Sequence, residues 1–201
     1  MNFDFSEEQV MLRDSVARFV QDDYDFDTRR AIVASEEGMS RDNWQTFAGL
    51  GWLSVPFAEE HGGFGGGPVD LMVMMEEFGK GLVVEPYYAT VVLFGGLLRA
   101  AASPAQQARW IPGIIDGSVL GGFAYLERQS RYELADVKTR ATARGAGYLI
   151  SGEKVVVANG ANADTLIVAA RTAGGQCDRE GISLFLVPAD AEGVERISYR
   201  M

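Results

Sequence analysis

The chain has 201 residues, 47% hydrophobic and 23% charged, which is material for one large domain or two smaller ones. Its formal net charge of −10 repels nucleic acid and anionic membrane surfaces, so neither is expected as a partner. One cysteine, Cys177, excludes an internal disulfide, and one histidine, His61, excludes a metal site built on several imidazoles. The start Met-Asn-Phe-Asp-Phe-Ser-Glu-Glu is acidic and lacks the apolar core of a signal peptide. No apolar run is long enough, and free enough of charge and glycine, to span a membrane, so a cytoplasmic location is expected.

The first half reads as helices. Ser6 and Gln9 have capping-box spacing, Phe5 and Val10 stand where a hydrophobic staple would be, and Leu12, Val16, Phe19 and Val20 recur at helical spacing. Ser40 opens a second helix with Trp44, Phe47, Ala48 and Leu50 on its apolar face, and Gly51 follows where a left-handed cap is cheap. The stretch PFAEEHGGFGGGP has neither P-loop nor Rossmann spacing, and no strand precedes it, so it reads as a surface turn rather than a phosphate cradle. A buried helix over about Val69 to Phe78 is expected to end at Gly79, with its methionines as core filler. Another apolar helix runs from about Pro86 to Ala102. Ser103, Pro104 and Gln106 open a third, which carries Trp110 and is expected to fade by Pro112.

The period changes near Asp116-Gly117. Val137, Thr139, Ala141 and Ala143 alternate with charged and polar residues, Gly145-Ala146-Gly147 supplies a turn, and Tyr148–Ser151 with Lys154–Val157 reads as the returning strand, broken by Gly152. Thr165–Ala170 and Ile182–Val187 are two further β-rich runs. Helices followed by strands mean segregated α and β parts, an α+β fold. The division expected is an all-α N-terminal domain over 1–117 and an antiparallel β domain over 118–201.

One stretch, FAYLERQSRYELADVKTRATARGAGYLISGEKVVVANGANADTLIVAART, resembles the acyl-CoA dehydrogenase family. Members carry an A-x-TEP-x-AGSD motif in the first middle-domain strand, then a G-x-K-x-W-I-T-N-G segment and an Ala-Asp dipeptide. Ala124, Glu127, Gly152, Lys154, Asn159, Gly160, Ala163 and Asp164 fit that frame. The SEEQ start, the GW-L-P-EE-GG loop and the apolar helix ending Glu-Glu-Phe-Gly extend the likeness over the whole chain. The ERQSRY-LADV segment, the FAEEHGGFGGGPV loop and the late RTAGG stretch resemble most the small subunit of pimeloyl-CoA dehydrogenase.

The resemblance implies a helical bundle domain, a β-barrel-like middle domain that is incomplete here, and a C-terminal helical domain that is absent. It implies an FAD-dependent oxidoreductase of fatty acid metabolism that oxidises an acyl-CoA or dicarboxyl-CoA thioester to the 2-enoyl-CoA. The family's reaction abstracts the α-proton and passes the β-hydride to flavin N5. The base lies in or near the C-terminal domain, so no catalytic residue is assigned and this chain alone is expected to be inactive. Implied partners are the acyl-CoA substrate, an electron-transfer flavoprotein, and further subunits in a homo-oligomer or in a hetero-oligomer with a large subunit. The alternatives are a non-catalytic partner subunit and a helical interaction module.

Matched position by position, Phe123, Tyr125, Leu126, Val156 and Ala158 are the implied flavin contacts, and Arg131 and Tyr132 fall on the Gly-Ser of AGSD as implied substrate contacts. Among the implied flavin contacts, three polar or aromatic groups of the family are replaced by apolar ones. Leu126 stands for the TEP threonine, Val156 for the tryptophan and Ala158 for the threonine that reaches N5. Arg128 and Arg131 read either as partners of a coenzyme A phosphate or distal carboxylate, or as solvated surface arginines. Glu127 reads either as a buried structural acid or as a surface partner of Arg128.

Overall fold

The computed structural model describes residues 4–199. The chain forms two compact units. Met1–Tyr87 with Leu98–Ser118 make one, and Tyr88–Leu97 with Val119–Met201 make the other.

The first unit is helical. Helix α1 (Glu7–Asp23) starts as the sequence predicts: the Gln9 N–H donates to the Ser6 hydroxyl at 3.2 Å, and the Ser6 N–H donates to the Gln9 side chain at 3.0 Å. Helix α2 (Phe26–Ala34) buries none of its residues, so no apolar stripe announced it. Its one signal is Asp25, whose carboxylate accepts from the Thr28 N–H at 2.7 Å. Helix α3 (Arg41–Gly49) ends just before Gly51, which has φ +77°. Short 3₁₀ turns at Trp52–Ser54 and Glu59–His61 lead to α4 (Pro68–Lys80). Phe19, Trp44, Phe47, Trp52, Phe78 and Tyr87 pack their rings 5.0–6.3 Å apart and form the core. The glycine-rich loop folds back on the preceding turn. Gly63, Gly65 and Gly66 donate their N–H groups to the carbonyls of Ala58, Phe57 and Val55, so these amides do not form an anion cradle.

The apolar run from Pro86 to Ala102 is not one regular helix. It forms a π-helix at Tyr88–Gly95, which belongs to the second unit, and then α5 (Gly96–Ala101). The last helix, α6 (Pro104–Ile115), does not fade at Pro112. Proline removes one N–H, a local loss, while Ile111 and Ile114 are wholly buried and hold the final turn. Asp116 caps α6, and Gly117 follows with φ +76°.

The second unit is built on one five-stranded sheet of β1 (Gly121–Ala124), β2 (Arg140–Arg144), β3 (Gly147–Ser151), β4 (Thr165–Arg171) and β5 (Ile182–Pro188). It is mixed, which corrects the antiparallel expectation. β1 runs parallel to β4 with Gly121 opposite Thr165, and β2 meets β4 in parallel at Arg140–Arg171, whereas β2–β3 and β4–β5 are antiparallel. Alternation reveals which face a residue takes, not which way a neighbouring strand runs. The long excursion between β1 and β4 returns the chain to the sheet in its original direction, as a parallel pair requires. The predicted start of β2 at Val137 and the continuation of β3 over Lys154–Val157 also change. β2 begins at Arg140, and residues 152–157 leave the ladder after Gly152, where a Cβ would overlap the buried Thr139 hydroxyl.

All seven residues of β4 are buried. Ala124, Ala163, Leu166 and Val168 form a core on one face, joined by Ile150, Val157 and Val187. The π-helix packs by Phe94 on the other face, where Gly121 has no side chain and a Cβ would overlap the Phe94 ring. Cys177 is a free, exposed thiol. Among the described residues no helix is long and apolar enough to cross a membrane, and no cluster of His, Cys, Asp or Glu is placed to hold a metal ion.

Candidate functional site

β1 and the segment after Gly152 lie side by side. The Val155 N–H donates to the Leu126 carbonyl at 2.9 Å, and a Cβ on Gly122 would lie 3.3 Å from the Ala158 carbonyl oxygen. The two stretches that carry Phe123, Tyr125, Leu126, Val156 and Ala158 therefore meet. Phe123 on β1 and Tyr125, one residue past its end, stack with ring centroids 4.7 Å apart and 23° between planes. Val156 is 76% exposed, and Ala158 is exposed beside it.

Val156 also has φ +52°. A β-branched residue in the left-handed region is a strained outlier, of the kind that gathers at ligand sites. Asn159 follows with φ +57°, and its Nδ2 is buried without a hydrogen-bond partner. The surrounding turn is braced. Gly160, Asn162 and Ala163 donate their N–H groups to the carbonyls of Val157 and Asn159, and the Arg196 guanidinium donates to the carbonyls of Gly160, Ala161 and Ala163 at 2.9–3.3 Å. Asp164 ties the start of β1 to that of β4: its carboxylate accepts from the Leu120 N–H at 2.8 Å, and its own N–H donates to the Leu120 carbonyl at 2.8 Å.

Beneath this surface lies a buried ion pair. Glu127 Oε1 accepts from Lys154 Nζ at 2.8 Å and from the Thr139 N–H at 3.0 Å, and Oε2 accepts from the Lys138 N–H and Gln129 Nε2, each at 2.8 Å. Lys154 also reaches the Tyr125 carbonyl at 3.3 Å. The structure thus decides between the two readings of Glu127: it is the buried acid. Burial pushes its pKa up, but the bonds from Lys154, Gln129 and Thr139 outweigh that and hold it at about 2. Burial pulls the Lys154 ammonium below its ordinary value, and the bond to Glu127 opposes that without reversing it. A carboxylate with so low a pKa is a poor proton acceptor, so Glu127 shapes the site and does not act as its base.

Arg131 and Tyr132 lie on the loop that follows Glu127. Arg131 has φ +47° and both side chains are exposed, Tyr132 fully. Arg128 pairs with Glu153 at 3.0 Å, both well exposed. Sequence reasoning missed Arg171, which is 1% exposed. Its five N–H donors face six backbone carbonyls, those of Ala135, Val137, Ala173, Gln176, Asp178 and Glu180, at 2.8–3.3 Å. It pins the approach to β2 against the 173–180 loop. Gln176 joins this to the Glu127 network by donating to Asp136, which also accepts from Gln129. An arginine at the end of an apolar run reads as a surface residue, and no pattern in the sequence shows that a loop will close over it.

The site combines half-buried stacked aromatic rings, exposed apolar side chains at Val156 and Ala158, a strained turn and, buried beside it, an orphan amide donor. That composition suits a flat, largely apolar ring system with polar edges better than it suits proton transfer. Comparison with known proteins identifies the family. Residues 6–118 match the acyl-CoA dehydrogenase N-terminal domain, and residues 122–200 match the middle domain. A probable acyl-CoA dehydrogenase, YngJ of Bacillus subtilis, is 30% identical over 196 residues, covering 96% of this chain and 51% of its own length. The solved Tcur3481-Tcur3483 steroid ACAD G363A variant superposes with a TM-score of 0.83 at 30% identity over 93% of this chain and 49% of its own. The ChsE4-ChsE5 complex of Mycobacterium tuberculosis gives 0.83 at 26% identity over 96% and 50%. The chain spans about half the length of the relatives it matches. It belongs to the acyl-CoA dehydrogenase family, whose members are FAD-dependent oxidoreductases, and carries that family's N-terminal and middle domains.

Proposed function

We propose that the face formed by Phe123, Tyr125, Leu126, Val156 and Ala158 holds the FAD of an acyl-CoA dehydrogenase. The observation that carries this is the exposed, left-handed Val156 beside the buried, unpartnered Nδ2 of Asn159. Strain persists where the surroundings enforce it, and an orphan donor calls for an acceptor. Bound FAD would supply the hydride acceptor for oxidation of a thioester to its 2-enoyl product. This chain's own residues contribute the platform. Phe123 and Tyr125 offer a flat ring surface, Val156 and Ala158 a closely approachable apolar one, and the Glu127–Lys154 pair fixes the two backbone stretches beneath. None of them is placed to remove a proton, so the 201-residue chain by itself should not turn over an acyl-CoA.

The division at residues 117 and 118 belongs to the same reading, supported by the end of α6 at Ile115 and the left-handed Gly117. So does a dicarboxyl-CoA or medium-chain substrate of the pimeloyl-CoA dehydrogenase small-subunit kind, with Arg131 and Tyr132 toward the thioester. It is supported by an exposed guanidinium able to take a carboxylate or phosphate in two hydrogen bonds. Assembly with a large subunit is the fitting oligomer, since the ChsE4-ChsE5 relative is a complex of two named components. An electron-transfer flavoprotein would take the electrons onward.

Replacing the site's apolar groups tests the cofactor claim. Val156→Trp with Ala158→Thr restores an indole and a hydroxyl. One recovered hydrogen bond is worth about 0.5–1.5 kcal/mol, a gain of roughly 2- to 10-fold in FAD affinity. Absorbance titration and flavin retained through gel filtration measure it. If neither the wild type nor the variant binds FAD, the alternative of a non-catalytic partner subunit takes the place of this reading.

A further inference from the structure

We infer that Thr90, on the π-helix, is a positioning residue for the proposed flavin platform; the inference rests on the cofactor reading above. β1 is only four residues long and, among the described residues, pairs with β4 alone, so one of its edges has no strand neighbour there. At the first rung of β1, one side chain does the work of a neighbour. The Gly121 N–H donates to the Thr90 hydroxyl at 3.2 Å, and that hydroxyl donates to the Gly121 carbonyl at 3.2 Å. Thr90 is fully buried, so water does not compete for either group.

Phe94, one turn along, fills the space above Gly121, so any side chain there would displace the helix or the strand. Gly121 and Phe123 alternate onto one face of β1, and Tyr125, one residue past its end, stacks on Phe123, which places the helix contact two residues from the first platform ring. At the far end, Leu126 is held by Val155 and the Tyr125 carbonyl by Lys154. Thr90 and Lys154 thus clamp the two ends of a short strand whose rings are the proposed cofactor surface. A slip of one residue would turn Phe123, with the ring it stacks on, to the opposite face. A π-helix inserted in an apolar helical run is a local irregularity of the kind found at functional sites, and here it delivers a hydroxyl and a ring to the same glycine.

The test compares wild type, Thr90→Val and Thr90→Ser in the native protein loaded with FAD. Thr90→Val keeps the shape and removes both hydrogen bonds, and Thr90→Ser keeps the hydroxyl. Ala141→Gly on β2 serves as control, since it weakens the same sheet away from β1. Thr90→Val is expected to weaken FAD binding about tenfold, as loss of ~1.4 kcal/mol would, and to change the visible band shape and fluorescence quenching. Thr90→Ser should restore the wild-type spectrum, and Ala141→Gly should lower the unfolding midpoint with that spectrum unchanged. Equal FAD affinity and identical spectra for wild type and Thr90→Val overturn the positioning role while leaving the cofactor reading intact. So does an Ala141→Gly spectrum altered in the same way. If Thr90→Val does not fold, Thr90→Ser decides, since a shifted spectrum despite the retained hydroxyl overturns the role. Wild type that binds no FAD overturns the cofactor reading, and the inference with it.

Discussion

Replacing Arg171 with Met should be the most destabilising single change in the sheet unit. The aliphatic stem is kept, but six carbonyls lose their charged donors. Each buried group left unsatisfied costs about 1–3 kcal/mol. Water entering the 173–180 loop will relieve some of them, so a net cost of at least ~4 kcal/mol is expected, at the rare end for a point change. Arg171→Lys should recover less than half of this, because an ammonium has three donors on one centre and cannot span two loops as the guanidinium fork does. Hydrogen exchange of peptides covering β2 and β4 reads the effect directly. The three tryptophans, Trp44, Trp52 and Trp110, all belong to the helical unit, so their fluorescence is a poor probe of this loss. Unchanged protection in Arg171→Met would mean that the loop does not depend on the guanidinium.

The Glu127–Lys154 pair should give the second-largest effect, with a pH signature of its own. Glu127→Gln leaves a buried ammonium without its anion, which costs about 3–5 kcal/mol near neutral pH. The sign follows from the depressed pKa. A carboxyl moved from 4.5 to about 2 on folding stabilises the native state above the unfolded value and loses that stabilisation as pH falls through the folded one. The contribution is of order 3 kcal/mol, close to the cost of the substitution. The stability difference between wild type and Glu127→Gln should therefore be full above about pH 5 and shrink toward pH 2. Glu127→Gln with Lys154→Met should cost clearly less than the two single changes added together, since the pair is removed as a unit. A stability gap that stays constant between pH 6 and pH 3 would show that the carboxylate charge is not what holds the loop.

Local chemistry in the sequence located much of the helical unit. The Ser6–Gln9 and Ser103–Gln106 boxes, Ser40 and Gly51 behave as their side chains and backbone freedom dictate. What escaped was set by tertiary contacts. α2 has no buried face to show a period, and α6 outlasts Pro112 because Ile111 and Ile114 bury its last turn. Strand direction was misjudged because alternation is blind to it. In the site, motif spacing placed Glu127, Lys154, Asn159 and Asp164 on one frame, while the left-handed Val156 contradicts the extended strand that its β-branched neighbours suggested. Arg171 and Thr90 gave no signal, because their partners are backbone atoms, and backbone atoms have no sequence signature.

Under the proposed function, this fold presents FAD to a thioester within the whole protein. The most direct measurement is anaerobic titration of the native protein, purified with FAD and with any subunit that accompanies it, against octanoyl-CoA and a medium-chain dicarboxylyl-CoA. Visible absorbance is the readout. A retained flavin band that bleaches on adding thioester is expected, with the dicarboxylyl substrate the more effective of the two. The 201-residue chain alone should give no bleaching. A protein that retains no flavin, or a flavin band that neither thioester bleaches, would contradict the proposed function.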